Sequence, residues 1–161
     1  MAKRRATADA IRVRGFFRVH IVENGKIVGN SGWKPNTVVN NGFSHYLVDL
    51  LGQGANSKQI SRMMLGTGTA PAVTDNTLNG ELNTATYTRT TVTFANTSSK
   101  TARFTATFAG SNHITAAVTL QNIGIINNST SGGTMMAAST YATSQWNTNQ
   151  DVQATYEIRF A

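Results

Sequence analysis

The chain has 161 residues, 40% hydrophobic and 13% charged, with no cysteine and a net charge of +7. That length suits one domain with its own core. Without cysteine there is no disulfide framework, thiolate metal site or cysteine nucleophile, and no run approaches the ~20 consecutive apolar residues of a membrane-spanning helix.

The scarce charge is replaced by 24 Thr and 16 Asn. Threonine suits a half-exposed pleated surface and asparagine suits turns with left-handed residues. The positive charge is gathered at one end. Lys3, Arg4, Arg5, Arg12, Arg14 and Arg18 are opposed only by Asp9, so +5 of the total lies in the first eighteen residues. Residues 1–14 read as a basic arm, able to clamp a neighbouring subunit or neutralise phosphates, and residues 15–161 read as a single β domain. No apolar segment follows the basic run as in a secretory signal, which points to synthesis in a cytoplasm.

After the arm, Phe17, Val19 and Ile21 alternate with polar neighbours and run into Asn24-Gly25. Asn-Gly between alternating segments predicts a tight hairpin, because both central residues need positive φ. The return strand runs from Ile27 to Gly29, and Gly29-Asn30-Ser31-Gly32 ends it. Phe43, Tyr46, Leu47, Leu50 and Leu51 recur at i, i+3, i+4, i+7 and i+8, which predicts one helix over about 41–52. Ile60 to Leu65 reads as a strand, followed by a loop with a helical turn near Leu78 to Leu82. Strands are then predicted over about 86–95, 100–109, 113–121, 134–142 and 151–160.

Two of these are strictly alternating. Ala102, Phe104, Ala106 and Phe108 share one parity, as do Val152, Ala154, Tyr156, Ile158 and Phe160. Such a period places alternate side chains on one face of an antiparallel sheet. The fold class is therefore mainly β, an antiparallel β-sandwich or jelly-roll-like domain with one helix.

Catalytic signals are weak. His20, His45 and His113 lack metal-ligand spacing. Ser44, His45 and Asp49 lie on one predicted helix, where adjacent residues diverge instead of facing each other. Gly66-Thr67-Gly68 lacks the remaining elements of a phosphate loop and reads as a strand-ending turn. No catalytic, metal or cofactor residue is assigned. Trp33, Trp146, Tyr87 and Tyr141 are candidate aromatic contacts, as in a sugar-stacking platform.

One stretch is more specific. Leu65-Gly66-Thr67-Gly68-Thr69-Ala70-Pro71, then Thr74-Asp75-Asn76-Thr77-Leu78, Glu81-Leu82 and Arg89, resembles a pattern of tailed-phage virion proteins. Ile123-Gly124-Ile125-Ile126-Asn127 and Tyr156-Glu157-Ile158-Arg159-Phe160 extend it, so it covers about residues 60–161. Asn122 stands where an acidic residue is common and Ile125 where Leu is common. The resemblance implies a virion component, such as a capsid-bound decoration protein or a tail or fibre part. Its partners would be other copies of this chain and a major capsid or tail protein, with packaged nucleic acid within reach of the arm. Two alternatives stand beside it: the main jelly-roll coat protein of a small virus, and a carbohydrate-binding β-sandwich.

Overall fold

The computed structural model describes residues 12–48, 58–82, 89–128 and 132–161. Among them are ten strands: β1 (Val13–Glu23), β2 (Lys26–Asn30), β3 (Lys34–Val38), β4 (Arg62–Gly66), β5 (Thr90–Thr91), β6 (Thr93–Ser98), β7 (Thr101–Ala109), β8 (Val118–Ile126), β9 (Met135–Trp146) and β10 (Gln150–Phe160). They form one antiparallel sheet in the order β5-β4-β8-β9-β3-β1-β10-β7-β6, with β2 paired to β1. The first and last strands of this order, β5 and β6, are consecutive in the chain and separated only by Val92. The sheet therefore curls into a nearly closed barrel. The mainly β, antiparallel expectation holds, and the two layers expected of a sandwich are halves of one continuous sheet.

The alternation seen in the sequence sets the inner face. Phe17, Val19 and Ile21 of β1 align with Tyr156, Ala154 and Val152 of β10, which align in turn with Phe104, Ala106 and Phe108 of β7. All nine are buried and meet Met63, Leu65, Leu120, Ile123, Ile125 and Trp146 from the other half. The half made of β4, β8 and β9 is buried on its outer face as well. There Met64, Ile126, Met135 and Ala138 pack with Val39 and Leu78. Burial on both faces accounts for continuous apolar runs in place of alternation.

The loop that supplies Leu78 is locked by close backbone packing and one ion pair. A Cβ at Gly68 would overlap the carbonyl oxygen of Asn79, so only glycine lets the two loop arms meet here. Asn122, fully buried, donates from Nδ2 to that same carbonyl at 2.7 Å. Arg89 donates to both carboxylate oxygens of Glu81, at 2.6 and 2.8 Å, and to the Gly132 carbonyl at 2.7 Å. Its side chain is 1% exposed. This stretch is thus a packing device: Gly68, Leu78, Glu81 and Arg89 fasten one loop over one sheet face.

Several boundaries differ from expectation. Arg12 exchanges backbone hydrogen bonds with Ala161, at 2.7 and 2.8 Å, and β1 begins at Val13. The last two residues of the expected arm, Val13 and Arg14, therefore belong to β1, while Lys3, Arg4 and Arg5 lie outside the described residues. The expected helix is present as a π-helix over Gly42–Val48, and residues 49–52 of its range lie outside the described residues. The wider winding shifts the apolar phase, so Tyr46 is buried while Phe43 is 44% exposed. No helical turn forms at Leu78 to Leu82; Glu81 instead bridges Gly66. The strand expected over 113–121 is displaced to Val118–Ile126, because Gly110–His113 closes one α-helical turn. The strand β3 has no counterpart among the expected elements.

Replacing Arg89 with Met leaves the Glu81 carboxylate, a half-buried group, without its guanidinium. A loss of about 3–5 kcal/mol in urea unfolding is expected, and a loss under 1 kcal/mol would mean that the pair does not fasten the loop. Gly68→Ala is expected to cost about 1–3 kcal/mol by overpacking, read as a lower unfolding midpoint with unchanged urea dependence.

Candidate functional site: a basic and aromatic sheet face

The outward parity of the first half-sheet carries the site. On β1 these residues are Arg14, Phe16 and Arg18; on β10 they are Arg159 and Glu157; on β7 the residue is Arg103. Register places Arg14 opposite Arg159, Phe16 opposite Glu157, and Arg103 on the far side of Glu157.

Trp33 is brought over this face by the turn that follows β2. The Ser31 hydroxyl accepts from the Val19 amide at 2.9 Å and donates to the Gly32 carbonyl at 2.8 Å. The Gly32 amide donates to Asn30 Oδ1 at 2.9 Å, and the Ser31 amide donates to the Val19 carbonyl at 3.0 Å. These bonds tie the turn to β1 and set Trp33 beside the arginines. The Arg18 guanidinium carbon lies 5.1 Å from the Trp33 ring centre, and that of Arg159 lies 5.8 Å from it and 4.4 Å from Phe16. Each contact is worth about 0.5–1 kcal/mol at an exposed site and holds the guanidinium in place.

Glu157 is the acid of this cluster. Arg103 donates to one of its oxygens at 2.8 Å and Arg159 to the other at 2.5 Å. Burial alone would push its carboxyl up, but hydrogen bonds from Arg159 and Arg103, with their charges, outweigh that and hold it below the usual range. Two guanidinia share this one carboxylate, while Arg14 has no side-chain partner among the described residues. His20, farther along β1, is held below its ordinary pKa by burial and by the charge of Arg18.

Two candidates from different sequence signals, the arm basics and an aromatic contact, thus converge. Arg14, Arg18 and Trp33 share one face. Arg12 is exposed next to it, at the start of β1. Phe16, Arg103, Glu157 and Arg159 were not singled out in the sequence. Their signal was the polar parity of two alternating strands, but only the register brings them together.

The other aromatic candidates go elsewhere. Trp146 is fully buried and donates from Nε1 to the Gln150 carbonyl at 2.9 Å, so it is a core residue and not a surface contact. Tyr141 is also buried, with its ring centre 5.9 Å from that of Phe17. Both correct the surface expectation, since a ring inside the barrel cannot meet a ligand outside it. Tyr87 lies outside the described residues.

The histidines stay apart. His113 bonds the Ala109 carbonyl through Nδ1 at 2.8 Å and Thr90 through Nε2 at 3.3 Å, securing the turn at Gly110–His113. Among the described residues no group of three metal-ligating side chains gathers. An apolar hollow of about 480 Å³ lies between the π-helix and the barrel, walled by Tyr46, Ile60, Phe94, Phe104 and Met136. No helix among the described residues is long and apolar enough to cross a membrane.

No protein-family model, curated protein or solved structure matches the chain.

A depressed carboxyl pKa in the folded state means that folding favours the charged form. The associated stability is present above the unfolded carboxylate range, ~4.3, and is lost as pH falls through the lower folded value. Glu157→Gln should therefore be less stable than wild type at pH 7, and should lose less further stability on acidification through the carboxylate range. Parallel curves of unfolding free energy against pH for the two proteins would refute this coupling.

Proposed function

We propose that the chain is a non-enzymatic structural component of a virion, a bacteriophage particle in particular. In this reading it joins copies of itself and other virion proteins through its β surfaces and its basic N-terminal segment. The resemblance of residues 60–161 to tailed-phage proteins supports it. The observation that carries it is the state of β6.

This strand is one end of the sheet order, and all six of its residues are exposed. It reads Thr-Phe-Ala-Asn-Thr-Ser, with no Lys and no Pro. Monomeric proteins usually blunt such an edge with charge or proline, because unpaired backbone groups invite another strand. A register shift between Asn96 and Ser98 closes the far end, which leaves Thr93 to Asn96 as the regular segment. The adjoining outward surface is Thr93, Thr105, Thr107, Thr155 and Gln153, uncharged and β-branched at most positions. A threonine surface costs less to desolvate than a charged one, provided that its hydroxyls find hydrogen bonds across the contact. A second exposed apolar element is the β1–β2 hairpin, where Ile27 and Val28 are 57% and 56% exposed. A standard interface needs roughly 800 Å² from each partner, a small share of the 9193 Å² of accessible surface available.

Light scattering on the purified protein should give the mass of a dimer or larger closed oligomer. Ala95→Lys, which puts a charge on the outward face of β6, should shift the mass to that of a monomer with an unchanged circular dichroism spectrum. A wild-type protein that stays monomeric at every concentration would remove this reading.

A further inference from the structure

We propose that the outer face built by Arg14, Phe16, Arg18, Trp33, Arg103 and Arg159 binds single-stranded nucleic acid. The proposal does not rest on the virion reading; it concerns the arginine-bearing end of the first half-sheet, which meets the edge strand β6 only where Arg103 pairs with Ala95.

Charge is the first support. Four arginines face one carboxylate, and that carboxylate is already shared by Arg103 and Arg159. Arg14 lies directly opposite Arg159 across the β1–β10 ladder. Like charges directly opposed across strands are destabilising, and a bound anion relieves them. The sheet is polar along its length: Glu23 and Asp151 lie at the opposite end of β1 and β10. The positive end is therefore set apart and not diluted across the surface.

The chemistry of the residues chooses the anion. Arginine presents a planar fork of donors that fits phosphate oxygens pairwise. Cation–π contacts hold two of these forks in fixed places over Phe16 and Trp33. Trp33 itself is 40% exposed. A ring on an open sheet face, flanked by guanidinia, matches the way proteins take single strands: bases stack on the ring and phosphates track the cations. A duplex hides the faces of its bases, and an acidic polypeptide would make no use of the ring. The basic residues Lys3, Arg4 and Arg5 precede β1 in the sequence and extend the same sign of charge.

The test uses the full-length protein and a fluorescently labelled oligothymidylate. Binding is expected at about 50 mM salt and should weaken with log salt at a slope of about −0.7 per phosphate neutralised. Intrinsic tryptophan emission should be quenched on binding, and because Trp146 is fully buried, the quenching reports Trp33. Arg14→Gln, which breaks no side-chain contact, should weaken binding severalfold and make the slope shallower by about 0.7. Trp33→Phe keeps a ring for Arg18 and Arg159; it should abolish the quenching and weaken binding about tenfold or less, within the ~1–3 kcal/mol of one stacked base. Lys26→Gln, at the β1–β2 turn, should change nothing.

Four results would overturn the proposal. The first is no binding at low salt. The second is an equal effect of Lys26→Gln and Arg14→Gln. The third is loss of binding when Lys3, Arg4 and Arg5 become Gln while the face variants stay neutral. The fourth is displacement and equal quenching by polyglutamate, which would identify the partner as an acidic polypeptide.

Discussion

The five residues of β3 hold the two halves of this molecule in one sheet. Lys34, Pro35 and Asn36 pair with β1, and Thr37 and Val38 pair with β9. The strand changes partner halfway along, so the sheet turns a corner instead of splitting into two separate layers. Proline is tolerated near its start, where one missing N–H removes little from the ladder. The close approach depends on Gly15: the Asn36 side chain occupies the space that a Cβ at that position would fill. Once this seam is made, the inner faces of the two halves must face each other, and the alternating residues of β1, β7 and β10 acquire their partners from β4, β8 and β9.

The same seam explains the unequal treatment of the two half-sheets. One half is covered on both faces, because the loop after β4 folds back and delivers Leu78 to Met64, Ile126 and Met135. Its polar elements are consumed internally: Glu81 by Arg89, and Asn122 by the carbonyl of Asn79. Gly68, Leu78, Glu81 and Arg89 belong to this covered half, and their chemistry is that of a clasp. The other half has no such cover. Its outer face meets solvent with threonines along β7 and β10, and with arginines and aromatic rings where β1 begins and β10 ends.

That uncovered face is held together by electrostatics at short range. Glu157 is 2% exposed although it sits on the outward parity. Burying a carboxylate there is tolerable because two guanidinia supply hydrogen bonds and charge. Arg159 then serves three neighbours at once: it bonds Glu157 and lies against both Phe16 and Trp33. The turn at Asn30–Gly32 matters for the same reason, since its bonds to Val19 fix where Trp33 stands. A surface with this many constraints is preorganised, and little ordering remains when an anionic chain meets it.

The amino-acid sequence by itself determined the strands whose two faces differ. Period-two alternation in β1, β7 and β10 marked which residues enter the core, and Asn24-Gly25 marked the hairpin, where both residues indeed take positive φ. It also located the basic residues and left Trp33 as an aromatic without a core pattern around it. Local signals failed where tertiary contacts overrode them. Lys34–Val38 lacks a strand pattern because its order comes from two partners far away in sequence, and Phe43 escapes burial because the helix winds more widely than its apolar spacing implied. Trp146 and Tyr141 looked like Trp33 in one dimension, and only the closing of the sheet put them inside. Register, a relation between distant segments, decided which polar residues became neighbours: alternation reveals that a side chain points outward, and strand pairing alone decides what stands beside it.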